Sequence, residues 1–471
     1  MNPEQKMEDM RHIKLLVDAG DCKLAWSLLE PYLLDDPNDA MSLWQTAHLM
    51  EKGKNLPVAW QLAKRVTELQ PERFAGWLQY GYLSDQLWQD EIAERSYRRA
   101  LRCAKNAEEK SSALMSLAGL YIRNGEFARA EPVCKEALLA NPEGTKAKAN
   151  LGFCQLAARN WAEGWANYHH TLGTPARKRV QYDEEPEWDG SKGFNVAFYG
   201  EQGIGDEISF ASMIPDAIKD CNKVIIDCDS RLKNLFQRSF PEAVVYETRT
   251  KQSLEWKKED RSIHASLPLG GLGGFYRLTD DSFPGTPYLV PDPERVLMWE
   301  ALWKTKNKPV IGIAWTGGLR HTAAQYRQWT LEDLLPIFKS IDAHWVCLQY
   351  KDAAEEILAF KEKHDVDLVQ YPYATLTEDY DDTAALVASL DRVVCMQTAI
   401  AHLCGALGKR CDVFVPKNSQ WRYGEGFTSL PWYSSVNVIR QAVRGHWKNT
   451  IEAYARTTRA ELGETSDLRV A

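Results

Sequence analysis

The stretch SALMSLAGLYIRNGEFARAEPVCKEALLANP, residues 112–142, decides the fold of the first third of the chain. Its small and aromatic positions are Ala118, Tyr121, Gly125, Ala130, Ala137 and Pro142. That spacing predicts two short helices packed face to face. Small residues let the helices approach, and an aromatic ring fills the hole beside them. Proline ends the second helix because it cannot continue the backbone hydrogen bonding. One unit earlier Gly81, Ala93, Tyr97 and Ala100 repeat the pattern, and Ala47, Ala59 and Ala63 do so before that. The closing positions are Pro37, Pro71, Lys105 and Pro142, at intervals of 34, 34 and 37 residues. A charged insertion near Asn106–Ser111 stretches the last interval.

A helical period of 34 residues is that of the tetratricopeptide repeat (TPR). A degenerate first copy (Ala25 to Pro37) and a last one (Gly152, Trp161, Trp165, Tyr168) bracket the series. We read about five repeats over residues 6–173, an α-solenoid. Stacked helix pairs curve into a concave groove suited to a peptide or protein segment; the other reading is a stalk that braces the next domain.

After Pro175 the helical period stops, and residues 174–192 form a charged linker with Pro186 and Gly190. Short β-branched or aromatic runs then alternate with amphipathic helices. The runs are Asn195–Tyr199, Lys223–Asp227, Val310–Ala314, Trp345–Leu348, Arg392–Cys395 and Asp412–Val415. Apolar runs separated by helices predict parallel strands covered on both faces. They fall into two series, separated by an aperiodic Gly- and Pro-rich stretch from Leu267 to Pro293. The expected architecture is two Rossmann-like halves, residues 193–295 and 296–460, with ligands at the carboxyl ends of the strands.

Composition narrows the classes. A chain of 471 residues, 44% hydrophobic and 26% charged, is too apolar to be disordered and long enough for several domains. Lys and Arg total 57 against 65 Asp and Glu, a net charge of −8, which argues against a nucleic-acid or anionic-membrane partner. No apolar run approaches the roughly 18–20 residues of a membrane span. The first residues, MNPEQKMEDMRHIK, lack the apolar core of a signal peptide. Ten cysteines without Cys-x-x-Cys spacing read as reduced thiols. A cytoplasmic protein is expected.

Three loops carry candidate chemistry. Tyr199-Gly-Glu-Gln-Gly-Ile-Gly-Asp206 follows the first strand, and its glycines permit a tight turn before a helix opens near Asp206. A carboxylate there is favoured by the helix dipole and could take a proton from a hydroxyl; plain N-capping is the alternative. Trp315-Thr-Gly-Gly-Leu-Arg-His321, with Arg327 nearby, offers guanidinium groups to phosphate oxygens, or is a solvated basic loop. In the third, a strand runs into Gln397-Thr398 and a helix of small residues, whose free N–H groups suit a diphosphate. His402 inside that helix reads as a packed core histidine before a catalyst. Asp379-Tyr-Asp-Asp382 invites a metal reading, but a helix follows at once, so Asp381 or Asp382 reads better as a cap.

Six motifs, in order, resemble one family. They are Glu187-Trp-Asp-Gly190, Gly200-Glu-Gln-Gly-Ile-Gly-Asp206, Gly312-Ile-Ala-Trp-Thr-Gly317, Leu348-Gln349, Asp381-Asp-Thr-Ala-Ala-Leu386 and Thr398-Ala-Ile-Ala-His-Leu-Cys-Gly-Ala-Leu-Gly-Lys409. Together they resemble the bacterial TPR-containing glycosyltransferases, which are related to ADP-heptose:lipopolysaccharide heptosyltransferases and distantly to O-GlcNAc transferase. The resemblance implies a GT-B fold, a nucleotide-sugar donor, no cofactor and no essential metal. It implies Asp206 as general base. It implies a donor site drawn from Gln202, Gly203, Gly205, Trp315, Gly317, Arg320, Arg327, Gln349, Tyr350, Lys351, Gln397, Thr398, Ala399 and His402. Relatives often carry Asp-Thr where this chain has Gln397-Thr398, which puts donor identity or activity in question. The expected function is inverting transfer of a sugar to an acceptor hydroxyl, on a protein bound by the array or on a glycan or lipid-linked acceptor. A non-catalytic TPR scaffold with a degenerate nucleotide- or glycan-binding domain is the alternative.

Overall fold

The computed structural model describes residues 3–174, 177, 182, 184–249, 254–260, 262–317 and 326–468. Its first part is five helix pairs: Pro3–Ala19 with Cys22–Asp35, Ala40–Lys52 with Leu56–Leu69, Phe74–Gln86 with Asp90–Cys103, Ala107–Arg123 with Phe127–Ala140, and Thr145–Ala157 with Trp161–Tyr168. The repeat is written into the backbone. One residue per pair takes a left-handed φ in the turn between its two helices: Gly20 (87°), Lys54 (61°), Trp88 (59°), Gly125 (72°) and Arg159 (62°). Only two of these are glycine, so the turn is imposed on the others by the packing of the helices it joins. The stretched interval is absorbed in Ala107–Arg123, which has 17 residues where its counterparts Ala40–Lys52, Phe74–Gln86 and Thr145–Ala157 have 13. Asn106 caps the lengthened helix by accepting the Glu109 N–H at 2.8 Å. The alanines of the pattern, among them Ala47, Ala59, Ala93, Ala118 and Ala130, are wholly buried. At Gly81 the fit is closest, since a Cβ there would lie 2.6 Å from Cδ1 of Tyr97.

The chain divides into two compact units, Met1–Cys154 and Gln155–Ala471. Helix Trp161–Tyr168 packs within the second. Trp165 meets Trp421 and Trp432 edge-on, and a Cβ at Gly273 would fall 2.4 Å from its indole. The second unit holds two sheets. The first is β1 (Asn195–Tyr199), β2 (Lys223–Asp227), β3 (Val244–Tyr246) and β4 (Ala265–Pro268), all parallel in the order β3-β2-β1-β4. The second contains β5 (Val310–Ala314), β6 (His344–Cys347), β7 (Leu368–Gln370), β8 (Arg392–Met396), β9 (Cys411–Val415), β10 (Ser429–Leu430) and β11 (Tyr433–Arg440). Its order is β10-β11-β9-β8-β5-β6-β7, and only β10 runs antiparallel. Without β10 this is the doubly wound order 3-2-1-4-5-6, whose ligand crevice opens where the winding reverses. Those reversals lie beside β1 and between β5 and β8.

All six apolar runs read from sequence are strands, with β6 and β9 starting one residue earlier than read. The strands not read have physical reasons to be silent. β3 and β7 are three residues long and β10 two, and β11 mixes buried positions with the exposed Ser434 and Asn437 instead of running apolar. β4 ends inside the stretch from Leu267 to Pro293 read as aperiodic.

Candidate functional site

Three loops at the carboxyl ends of β1, β5 and β8 converge within the second unit. Beyond β1, Gly203 is the N-cap of helix Ile204–Ala211, and Asp206 sits at the third helical position. The capping alternative for Asp206 holds in part: Gly203 and not Asp206 is the N-cap residue, but the Asp206 Oδ2 reaches back, as in a capping box, to accept the Gly203 N–H at 3.1 Å. Oδ1 pairs with the Arg422 guanidinium at 2.7 Å. The loop touches the helix that follows β8, because a Cβ on Gly205 would lie 3.1 Å from Ala399 Cα and 3.3 Å from His402 Cδ2. Asp206 therefore stands where the loops of the two sheets meet.

A buried carboxylate shapes that loop from behind. A Cβ at Gly200 would fall 2.4 Å from the Glu207 carboxyl carbon, so only glycine fits. Glu207 accepts the Asp229 N–H at 2.9 Å and pairs with Arg249 at 2.7 Å. Burial pushes its pKa up to about 8 against the pull of Arg249. Glu201 is likewise engaged, by Arg177 at 2.9 Å, and Gln202 donates to the Tyr168 hydroxyl at 3.0 Å.

On the second sheet, Thr398 caps helix Ala399–Leu407 and accepts the Ile400 N–H at 3.3 Å. The end of β5 presses on that cap, since a Cβ on Gly317 would meet Thr398 Cγ2 at 2.1 Å. The Gly317 N–H donates to the Arg327 carbonyl at 3.2 Å, and the buried Arg327 guanidinium donates to the Gln397 carbonyl at 3.5 Å. Burial lowers the Arg327 pKa from its ordinary value, while Asp206 and the tyrosines 350 and 423 act electrostatically to raise it. An arginine stays charged under such a shift. Gln349 locks the loop after β5 to the end of β6, accepting the Thr316 N–H at 3.3 Å and donating to its hydroxyl at 2.5 Å. Tyr350 is half exposed, with Lys351 Nζ 5.3 Å from its ring centroid. Gln397 is buried, and neither its Nε2 nor its Oε1 has a hydrogen-bond partner among the described residues.

Two expected residues face elsewhere or cannot be placed. The Trp315 indole sits in the hydrophobic core with Trp329 and Ile313, so Trp315 offers the loop only its backbone, whose carbonyl accepts the Trp329 N–H at 2.8 Å. Arg320, with its neighbour His321, lies outside the described residues. His402 is buried, as a core histidine would be, with Nδ1 3.3 Å from the Tyr433 hydroxyl. Burial pushes its pKa down to about 4; Arg422 lowers it further and Asp206 opposes. At neutral pH the ring is uncharged.

The acidic cluster is structural. The cap of helix Tyr380–Ser389 is Asp379, which accepts the Asp381 N–H at 3.1 Å, and not Asp381 or Asp382 as expected. Asp381 is held by Arg238 at 2.6 Å, and Asp379 and Asp382 by Arg295 at 3.1 and 2.7 Å. Among the described residues no group of three or more His, Cys, Asp or Glu is arranged to hold a metal ion. No described helix is long and apolar enough to cross a membrane.

Sequence reasoning missed Arg422. Its signal was an arginine between aromatics, Trp421-Arg-Tyr423, in the loop beyond β9, on the same edge as the loops that were read.

The fold and site together define a helical-repeat protein joined to an α/β region of parallel sheets. The chain is 30% identical over 356 residues to Protein FlbA of Caulobacter vibrioides, covering 71% of this chain and 59% of that protein. It is 26% identical over 170 residues to the tetratricopeptide repeat-containing protein trd-1 of Caenorhabditis elegans, covering 36% of this chain and 21% of that one. The chain thus spans less than two thirds of the length of either relative. Among solved structures, YrrB, described as a TPR protein with an unusual peptide-binding site, is 17% identical with a TM-score of 0.27, over 30% of this chain and 72% of that one. No protein-family model matches the chain.

Proposed function

We propose that the second unit is a GT-B glycosyltransferase that moves a sugar from a nucleotide-sugar donor to an acceptor hydroxyl, and that the repeat array selects a protein acceptor. The observation that carries this reading is the meeting of Asp206 with helix Ala399–Leu407 through Gly205, at the winding reversals of two parallel sheets. An acid-base group from one sheet and an anion seat from the other then share one crevice.

The chemistry follows from the charges. In the transition state the sugar C1 gains oxocarbenium character, and the departing diphosphate gains negative charge. The positive dipole end of helix Ala399–Leu407 and the Arg327 guanidinium are preorganised positive ends for that diphosphate; the Ile400 and Ala401 N–H groups are already held by Thr398, at 3.3 and 3.2 Å. Asp206 takes the proton of the acceptor hydroxyl as its oxygen bonds to C1, which inverts that centre. The role asks nothing of a metal. His402, uncharged at neutral pH, is a packing and hydrogen-bonding neighbour.

The test is a thermal-shift screen with UDP-, GDP-, ADP-, CMP- and dTDP-sugars, since binding raises the melting temperature by mass action. It is followed by an assay of nucleotide release from the donor that binds. Asp206→Asn should retain the fold and donor binding and lose turnover by about 100-fold or more, within the usual range for removing a general base. Undiminished transfer by that variant would reject Asp206 as the base. Turnover abolished by EDTA and restored by Mn²⁺ would reject the metal-free mechanism.

A further inference from the structure

Arg422 lies in the turn Trp421–Tyr423 beyond β9 and is only 5% exposed. Its guanidinium carbon stands 4.5 Å from the Trp421 ring centroid and 4.7 Å from that of Phe210. Phe210 belongs to the helix of the glycine loop, so groups from both sheets' loops clasp the same cation. Both carboxylate oxygens of Asp206 are engaged, one by the Gly203 amide and the other by Arg422. A buried guanidinium is tolerated when an anion compensates it; without that anion an uncancelled charge stays in a poorly solvated place. Both charges reach the donor side. Arg422 and Asp206 act with opposite sign on His402, which lies on the helix capped by Thr398, and Asp206 also acts on Arg327.

We propose that Arg422 is a positioning residue: it holds Asp206 ready, and its positive charge is uncovered when Asp206 takes the acceptor's proton. The inference rests on the glycosyltransferase reading above. In the step, the acceptor O–H bond breaks and its proton goes to Asp206. The oxygen's electron pair forms the bond to C1. The bond from C1 to the diphosphate oxygen breaks, and its pair stays on the diphosphate. Beforehand the charges of Asp206 and Arg422 cancel. Afterwards Asp206 is a neutral acid, and Arg422 carries one uncancelled positive charge in the crevice where the diphosphate has gained one negative charge. Base catalysis and leaving-group stabilisation are thereby one event, and a pair that is neutral in the resting state does not hold product diphosphate tightly between turnovers.

The test needs no turnover. Affinities of UDP, GDP, ADP, CDP and dTDP are measured by calorimetry for the natural protein, Asp206→Asn, Arg422→Gln and the double variant. Asp206→Asn mimics the protonated acid and should bind the preferred diphosphate about fivefold tighter, the size expected of one partly screened charge. In the Arg422→Gln background the gain should shrink to under about twofold, because the charge to be uncovered is gone. The inference is overturned if Asp206→Asn gains nothing, or gains as much without Arg422 as with it. Should Arg422→Gln fail to fold, Arg422→Lys keeps the charge: the gain must survive in Asp206→Asn/Arg422→Lys, and its loss there also overturns the inference. A natural protein that binds none of the diphosphates at millimolar concentration brings down the glycosyltransferase reading and this inference together. Diphosphate binding with additive variants brings down this inference alone.

Discussion

Replacing His402 with glutamine should remove a specific part of the protein's acid sensitivity. The histidine is buried beside Tyr433 and Arg422, and its pKa falls from 6.5 to about 4. Between those values the unfolded chain binds a proton that the folded chain refuses, so stability rises with pH across that window. This contribution is fully present above pH 6.5 and is lost as the pH falls toward 4. At 1.36 kcal/mol for each pKa unit, the window corresponds to about 3 kcal/mol. Glutamine keeps a polar group near the Tyr433 hydroxyl and does not titrate. Urea unfolding of the natural protein and His402→Gln, followed by tryptophan fluorescence at half-unit steps from pH 4 to 7.5, gives the difference directly. Titrations shared by both proteins cancel in it. The natural protein should lose about 3 kcal/mol more than the variant on acidification from 6.5 to 4. Parallel curves would refute the reasoning, because they would mean that the imidazole is solvated enough to protonate in the fold.

Further outcomes follow from close approaches. Gly81→Ala should destabilise the repeat array by about 1–3 kcal/mol, since the added methyl meets the buried Tyr97 ring at 2.6 Å; the melting temperature reads it. Gly205→Val should drive the glycine loop away from Ala399 and His402, lowering turnover while far-ultraviolet circular dichroism stays unchanged. Trp165→Ala should cost about 3–5 kcal/mol in the second unit, because the indole is shared by Trp421, Trp432 and the surface of Gly273. Chemical denaturation with an α/β-unit probe checks that figure.

Much of the fold is legible in the sequence because the signals are local. The 34-residue spacing of alanines and glycines reports helix contacts within a pair, and the structure repeats it as one left-handed residue per turn. The stretched interval after Lys105 becomes a longer helix at the position where the charged insertion stands. Strands buried on both faces leave continuous apolar runs, and those runs were found; β11, whose apolar residues are interrupted by the exposed Ser434 and Asn437, leaves none.

The candidate site was half legible for the same reason. Glycines at strand ends mark where backbone must come close, and Gly205 and Gly317 are indeed the points at which one loop meets the next. Direction was not legible. Trp315 and Gln349 belong to neighbouring strand ends, yet the indole turns into the core and the carboxamide becomes a brace for Thr316. The choice of Asp379 over Asp381 as cap depends on where the preceding turn delivers the chain and on the arginines at 238 and 295 that claim the other carboxylates.

By itself, then, the amino-acid order determined the helical period, the run of parallel strands and the three glycine-bearing loops, since each is a relation between residues close in the chain. Tertiary structure alone decided that Asp206 answers to Arg422, that Glu207 is claimed by Arg249 and that His402 stays uncharged. Those are relations between groups far apart in sequence, made when the two sheets close on each other and water leaves the space between their loops. Charge and burial in that space depend on every element that borders it, so no single segment carries the information.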